Sequence, residues 1–375
     1  MNSLQLRQIP QEGRQGGHFV VHRYHYVETQ AHPVGLVSAG TVENRAVFGP
    51  ILAVGSYPDR GPRATPGPVG YHPRIMFRAV ILGSGASLPT LQRQPAAVAV
   101  QYEGDVYLFD CGEGTQLQWR RAALRFGRLR GICISHLHGD HINGLVGLMQ
   151  TLSLADRESP LQLVGPPGIR DYWSAIQRYQ GVRLGYPLEI HETEGGEIAR
   201  GKAHSVSCAL LDHGVRTLGF RVSEDERPGR FDAAAAEALG IVPGPDFGRL
   251  QRGESVDVPG GAKVVPEQVM GAPRPGRSIV YTADTRPCPA AVELADAATL
   301  FICDSTFGSE LEREAKSRGH CTAPQAAEIA QAAGVERLLL THISARYHDA
   351  RPLRAEAREV FARTQVARDL MEVML

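Results

Sequence analysis

From Phe77 onward the apolar residues come in short runs, and each run stops at a polar residue or a glycine. Short runs rich in Val, Ile and Leu and bounded by turn residues read as buried strands. Phe77-Arg78-Ala79-Val80-Ile81-Leu82 is one, closed by Gly83-Ser84-Gly85. That GSG lacks the later glycine and the following helix of a nucleotide loop, so it reads as a tight turn. Residues 96–102 and 106–110 form a predicted hairpin around Glu103-Gly104-Asp105. Further strands are expected over 131–134, 161–164, 206–211, 218–222, 279–284, 300–304 and 337–342. Apolar positions at helical spacing predict helices over 142–154, 168–180, 231–239, 323–333 and 353–362. Another is expected to start near Thr115 and to carry Arg120, Arg121, Arg125, Arg128 and Arg130 with no acid from Thr115 to Arg130. It is either a solvated face or a phosphate-facing patch, with Arg121, Arg125 and Arg128 on one side. Strands and helices alternate, as in an α/β fold.

Two stretches break this grammar. Residues 1–75 are rich in Gly and Pro, with weak periodicity. They are expected to be a disordered extension, or translation from a start upstream of the true one, since Met76 opens the strong strand. Their histidines, His18, His22, His25, His32 and His72, have no partner motif and read as solvated. The second stretch, from Gly240 to Gly276, is again Gly- and Pro-rich and lies inside the domain formed by 76–375.

Composition narrows the class. The 375 residues carry no formal net charge, so the total charge indicates no polyanionic partner. The six cysteines are scattered without a C-x-x-C and suit a reducing compartment. No uninterrupted apolar stretch is long enough to span a membrane, and the N-terminus lacks a signal-peptide pattern.

The chemistry concentrates at Ser135-His136-Leu137-His138-Gly139-Asp140-His141, between a strand and a helix. In α/β folds that turn lies on the sheet edge where ligands collect. Imidazoles two apart on extended backbone face the same way and can share a metal, while Asp140 and His141 suit a second ion. Zinc needs more ligands than this turn supplies. Four later residues stand where an apolar strand ends: His213, Asp284, Asp304 and His342. Together they read as one converging site.

FDCGEGTQ (109–116), ISHLHGDH (134–141), DHGVRTLGFRV (212–222), YTADTR (281–286) and LTHISARY (340–347) closely resemble ribonuclease Z, the tRNA 3′-processing branch of the metallo-β-lactamase superfamily. The resemblance implies an αββα sandwich with an inserted arm, here 228–275, and two Zn2+ per subunit, with Mn2+ or another divalent metal as the alternative. It implies His136, His138 and His213 on the first ion, Asp140, His141 and His342 on the second, and Asp284 bridging. It assigns Asp140 as proton acceptor and His320, oriented by Asp304, as proton donor. Precursor tRNA as substrate, a homodimer and a cytoplasmic location follow from the same resemblance. Two departures stand out: Asp304 replaces the family's usual Glu, and the insert is not basic. The competing reading is a small-molecule phosphodiesterase or arylsulfatase-like hydrolase of the same fold, which would share the ligands and lack the arm. A zinc-stabilised structural or nucleic-acid-binding protein should have lost a ligand, and none is missing.

Overall fold

The computed structural model describes residues 76–375; the extension expected over 1–75, with its five histidines, lies outside the described residues. The strands of the first half are β1 Phe77–Gly83, β2 Ala97–Tyr102, β3 Asp105–Phe109, β4 Leu129–Cys133, β5 Leu161–Gly165 and β6 Leu188–Glu192. Then come β7 Gly195–Arg200, β8 His204–Asp212, β9 Arg216–Glu224 and a short hairpin of β10 Val256–Asp257 and β11 Lys263–Val264. The last five are β12 Ser278–Tyr281, β13 Leu300–Asp304, β14 Leu338–Thr341, β15 Thr364–Val366 and β16 Glu372–Met374.

Two seven-stranded sheets result, ordered β16-β1-β2-β3-β4-β5-β6 and β15-β14-β13-β12-β9-β8-β7. In the first, β3 to β6 run parallel and β1 to β3 antiparallel. In the second, β12 to β15 run parallel and β7 to β9 antiparallel. The alternation of side chains across a strand explains why the runs are continuously apolar. On β1, Phe77, Ala79 and Ile81 face the inter-sheet core, while Val80 and Leu82 join the outer core with Trp119, Leu148 and Trp173. On β13, Leu300 and Ile302 point inward, while Phe301 and Cys303 pack against Ala326, Ala330 and Ala357 of the outer helices. Both faces of both sheets are therefore covered, and the αββα sandwich expected from the sequence is the fold.

Strands β6 and β7 left no clear pattern because they are edges, mostly exposed and interrupted by Glu, His and Arg. The insert has a small core of its own, in which Ala236, Ile241, Leu250, Val256, Val264 and Val269 cluster. It holds the helix expected near 231–239, at Ala233–Ala238, and a second one at Pro245–Gln251. Its neck is paired: the Arg227 and Arg274 amides donate to each other's carbonyls, at 2.9 and 2.8 Å.

The arginine-bearing helix is corrected. It runs only from Thr115 to Arg121, because Ala123 takes a left-handed conformation and Phe126 folds back to stack on Trp119. Arg125 and Arg128 flank and end a 3-10 turn, so they share no helical face with Arg121. Arg130 lies on β4, ion-paired to Asp105 at 2.6 Å. Arg128 and Arg130 stand at the start of β4, whereas the metal turn leaves its other end, so the patch is not beside that turn.

Candidate metal centre

One rim of the sandwich gathers the strand ends. Asp110 follows β3, Ser135 and His136 follow β4, His213 sits in the β8–β9 turn, Asp284 follows β12, Asp304 ends β13 and His342 follows β14. The short helix Gly139–Ile142 brings Asp140 and His141 back over the same rim. Asp110, Ala283 and His342 adopt positive φ, at 58, 54 and 57°. Non-glycine residues rarely do so, and such strain collects where a site over-determines its backbone.

Two groups of donor atoms face opposite oxygens of one carboxylate. His136 Nε2 and His138 Nδ1 are 2.9 Å apart, and His213 Nε2 lies 3.3 Å from His138 Nδ1. Asp284 Oδ2 is 3.7 Å from His136 and 3.6 Å from His213. On the other side, Asp284 Oδ1 is 3.2 Å from both His141 Nε2 and His342 Nε2. Asp140 Oδ2 completes this group, 3.6 Å from His141 and 3.3 Å from His342. His136, His138, His213 and Asp284 lie within the reach of a single ion, as do Asp140, His141 and His342.

The hydrogen bonds behind the rings fix which nitrogen is free. Gly319 offers only a carbonyl, 2.8 Å from His213 Nδ1, so that nitrogen donates and Nε2 keeps its lone pair. His141 Nδ1 donates to Asp110 at 2.7 Å. The Ser135 hydroxyl gives its proton to Asp110 and the Thr306 hydroxyl gives its own to Asp304. These oxygens therefore accept from His136 Nδ1 and His342 Nδ1, each at 2.9 Å. With each Nδ1 proton so engaged, the neutral form of each of these four rings aims an Nε2 lone pair inward, the arrangement outer partners impose on metal-binding histidines. At Gly319 a Cβ would lie 2.2 Å from the His213 carbonyl oxygen, so no larger residue can present that acceptor.

The donor set fits divalent metal. His141 Nε2 and Asp284 Oδ1 are buried without a hydrogen-bond partner; although 3.2 Å apart, they are not aligned as a hydrogen bond. Leaving such groups unmet costs free energy that a bound cation would offset. Burial, with the neighbouring imidazoles, holds His136 well below the usual histidine range, and burial lowers His213. Burial also works against charge on His141, but Asp284 and Asp110 outweigh it and raise its pKa well above the usual range. Burial would raise the Asp284 and Asp140 carboxyls, yet the histidines around them win, and both lie below the usual carboxylate range.

Beside the donors, His320 Nδ1 donates to Asp304 Oδ2 at 2.8 Å. Asp304 is fully buried and also accepts from the amides of Thr285 and Thr306. Its shorter side chain therefore reaches His320 without help. Burial disfavours charge on His320, but Asp304 more than compensates, and the pKa is pushed up to about 9.

All the residues singled out in the sequence come together here: His136, His138, Asp140, His141, His213, Asp284, His342, Asp304 and His320. Sequence reasoning missed Asp110, Ser135, Thr306 and the Gly319 carbonyl, which orient the rings. Asp110 carried a usable signal, an acid at the tip of an apolar strand like Asp284 and Asp304.

The family model described as Beta-lactamase superfamily domain matches residues 264–343, and that of the Anti-Pycsar protein Apyc1 matches 77–176. The chain is 44% identical over 299 residues to the Ribonuclease Z of Methanosarcina acetivorans, covering 80% of this chain and 98% of that one. It is 45% identical over 289 residues to the Ribonuclease Z of Haloferax volcanii, covering 76% and 91%. Among solved structures, the short form of human tRNase Z superposes with a TM-score of 0.58 at 26% identity, over 79% of this chain and 98% of that one.

Proposed function

The chain belongs to the ribonuclease Z family on the metallo-β-lactamase fold, and from that premise we propose that it removes the 3′ trailer of precursor tRNA. The observation that carries the reading is the single carboxylate of Asp284, with one oxygen toward each of two sets of inward-aimed donors. His136, His138 and His213 would hold one Zn2+, Asp140, His141 and His342 the other, and Asp284 both. Such a pair supplies Lewis-acid stabilisation of phosphoryl charge and a water acidic enough to attack at neutral pH.

The chain's own residues handle the protons. Asp140, anionic at neutral pH, stands at the open edge of the donor set and takes the proton of the attacking water. His320 carries a proton below about pH 9, and Asp304 holds its Nδ1 so that Nε2 is the donating atom. It gives that proton to the departing ribose oxygen. The products are a 3′-hydroxyl on the tRNA and a 5′-phosphate on the trailer.

The insert would act as the arm that holds the tRNA body, and its separate core supports that role because it can move as a unit on its paired neck. We place the enzyme in the cytoplasm as a homodimer; among the described residues no helix is long and apolar enough to cross a membrane.

The test is incubation of a labelled precursor tRNA bearing a 3′ trailer, with and without chelator, with end-group analysis of both products. Cleavage at the trailer boundary that chelator abolishes and Zn2+ restores supports the reading. Hydrolysis of a nitrophenyl phosphodiester without cleavage of the RNA would make this a small-molecule phosphodiesterase. A chain lacking 230–270 should bind the RNA more weakly and hydrolyse the small ester normally.

A further inference from the structure

A second basic surface lies outside the metal centre. A cleft of about 580 Å3 is lined by Arg93, Arg351, Arg354, Arg358 and Arg368, with Asp349 as its only acid. Arg351, Arg354 and Arg358 fall at i, i+3 and i+7 of the helix Arg351–Val360, so they share one face while Leu353 and Ala357 bury the other. Arg93 and Arg368 come from distant parts of the chain, which explains why no linear pattern announced the cluster. Among the described residues only Arg351 of the five is ion-paired, to Asp349 at 2.7 Å. Arg93 spends one guanidinium nitrogen on Ser84 Oγ and the Ala367 carbonyl, both at 2.7 Å, and Arg358 donates to the Thr364 carbonyl. Asp369 lies behind Arg93 and offsets part of its charge, whereas Arg354, Arg358 and Arg368 face the cleft without a carboxylate of the described residues within ion-pair distance. In a chain with no net charge, so local an excess marks a site for an anion.

The cleft is tied to the metal centre through one turn. Ser84, which contacts Arg93, donates its amide and hydroxyl to Asp369, the neighbour of Arg368. Three residues on, the Ser87 amide donates to Asp140 Oδ2 at 2.8 Å. The Ser84 carbonyl accepts from Ile343, the residue after His342. Three residues span at most about 11 Å. The Arg93 wall of the cleft is thus within that length of chain from the Ser87–Asp140 contact.

We propose that this cleft binds consecutive backbone phosphates of the RNA next to the scissile bond. The proposal rests on the reading of the chain as a precursor-tRNA nuclease and names where that substrate's strand runs. Arg354 and Arg368 make the direct contacts, and Arg93 holds the Ser84 turn that links them to Asp140. Phosphate contacts of this kind set affinity and register without reading bases.

The experiment titrates a labelled precursor tRNA against the full chain in chelator, from 50 to 200 mM salt, for wild type and for R354A with R368A. Each lost phosphate contact flattens the slope of log affinity against log salt by roughly 0.7 to 0.9, so the double variant should lose about 1.5 units. Its affinity near 0.1 M salt should fall on the order of tenfold. Thermal melting and zinc content report that the fold and the metal centre persist. R354K with R368K should keep the slope, because the charge remains. An unchanged slope in the alanine pair would overturn the proposal. So would an equal loss in R178A with R183A, which removes the same charge from two exposed arginines, one on the helix Ile169–Gln180 and one just after it. A third contrary result is submillimolar binding of inorganic phosphate that the alanine pair abolishes while RNA affinity stays intact, since that describes a small-anion site. Because binding is measured without turnover, a wild type that fails to cleave the RNA counts against the functional reading and leaves the cleft to be judged by its own slope.

Discussion

Two buried carboxylates stand at opposite ends of the strands β9 and β12, and they are treated in opposite ways. At one end Glu224 is saturated. Its oxygens accept from the Arg277 amide at 3.1 Å, from Arg277 Nε and Nη2 at 2.9 Å each, and from the Tyr102 hydroxyl at 3.3 Å. Arg277 in turn donates to the Leu375 carbonyl, so the pair clasps the C-terminal strand to the second sheet. At the other end Asp284 faces imidazole nitrogens and, among the described residues, no amide, hydroxyl or guanidinium donor, and its Oδ1 has no hydrogen-bond partner. A saturated carboxylate contributes stability; one left without a hydrogen-bond donor contributes little until a cation arrives. The same strands are anchored at one end and kept chemically incomplete at the other.

Substitutions can break this comparison, and the largest effect is expected at Asp284. Asp284→Ala removes the oxygens both ions would share, and precursor cleavage should fall on the order of a thousandfold or more, with bound zinc lost in parallel. Cleavage within tenfold of wild type at normal zinc content would show that the carboxylate is not shared.

His320→Ala comes next, with a loss of about 10²- to 10⁴-fold if a general acid is removed. A histidine whose pKa is raised to about 9 donates a proton only below that value, so wild-type cleavage should decline as pH rises through it. Cations bound beside the ring shift that decline lower. The variant should lack this limb; an identical alkaline profile would take His320 out of the proton inventory.

Thr306→Val is a finer probe. It keeps the shape and deletes the oxygen that accepts from His342 Nδ1, so zinc affinity should drop about 10- to 100-fold. Unchanged affinity would show that the Nδ1 proton is held some other way.

The smallest effect on chemistry is expected at the saturated end. Glu224→Gln should lower unfolding stability by about 2 kcal/mol, by weakening charge-assisted hydrogen bonds, while cleavage per folded molecule stays unchanged. Burial would raise the Glu224 carboxyl, but the bonds from Arg277 outweigh it and the net pKa lies below 4.5. A carboxylate depressed by folding gives its full stability above the unfolded pKa and loses it as pH falls through the folded value. The wild type should therefore lose stability progressively on acidification below about pH 4.5, and the variant should lose less, as denaturant titrations would show.

How much of this was written in the sequence depends on how far apart the cooperating residues lie. The metal turn was legible because four donors occupy six positions, and the distant donors because each closes an apolar strand. Strands were legible where both of their faces are buried, as on β1 and β13, and illegible at the edges β6 and β7, whose residues meet solvent, while their αββα arrangement came from the family resemblance and not from the pattern. Asp110 and Thr306 were not legible as ring-orienting groups, because their roles follow from hydrogen-bond directions across three strands. The arginines make the same point twice. The cluster that looked coherent, Arg120 to Arg130, is dispersed by a left-handed residue at Ala123. Arg93, Arg354 and Arg368, far apart in sequence, meet in one cleft.

The central claim is that the rim holds two ions through one shared carboxylate. The direct measurement is metal content per chain after zinc loading and desalting, by elemental analysis of wild type and of His138→Ala. The account predicts two zinc ions per wild-type chain and a loss of zinc, together with cleavage, in the variant. One ion or none in a wild type that cleaves precursor tRNA fully would contradict it.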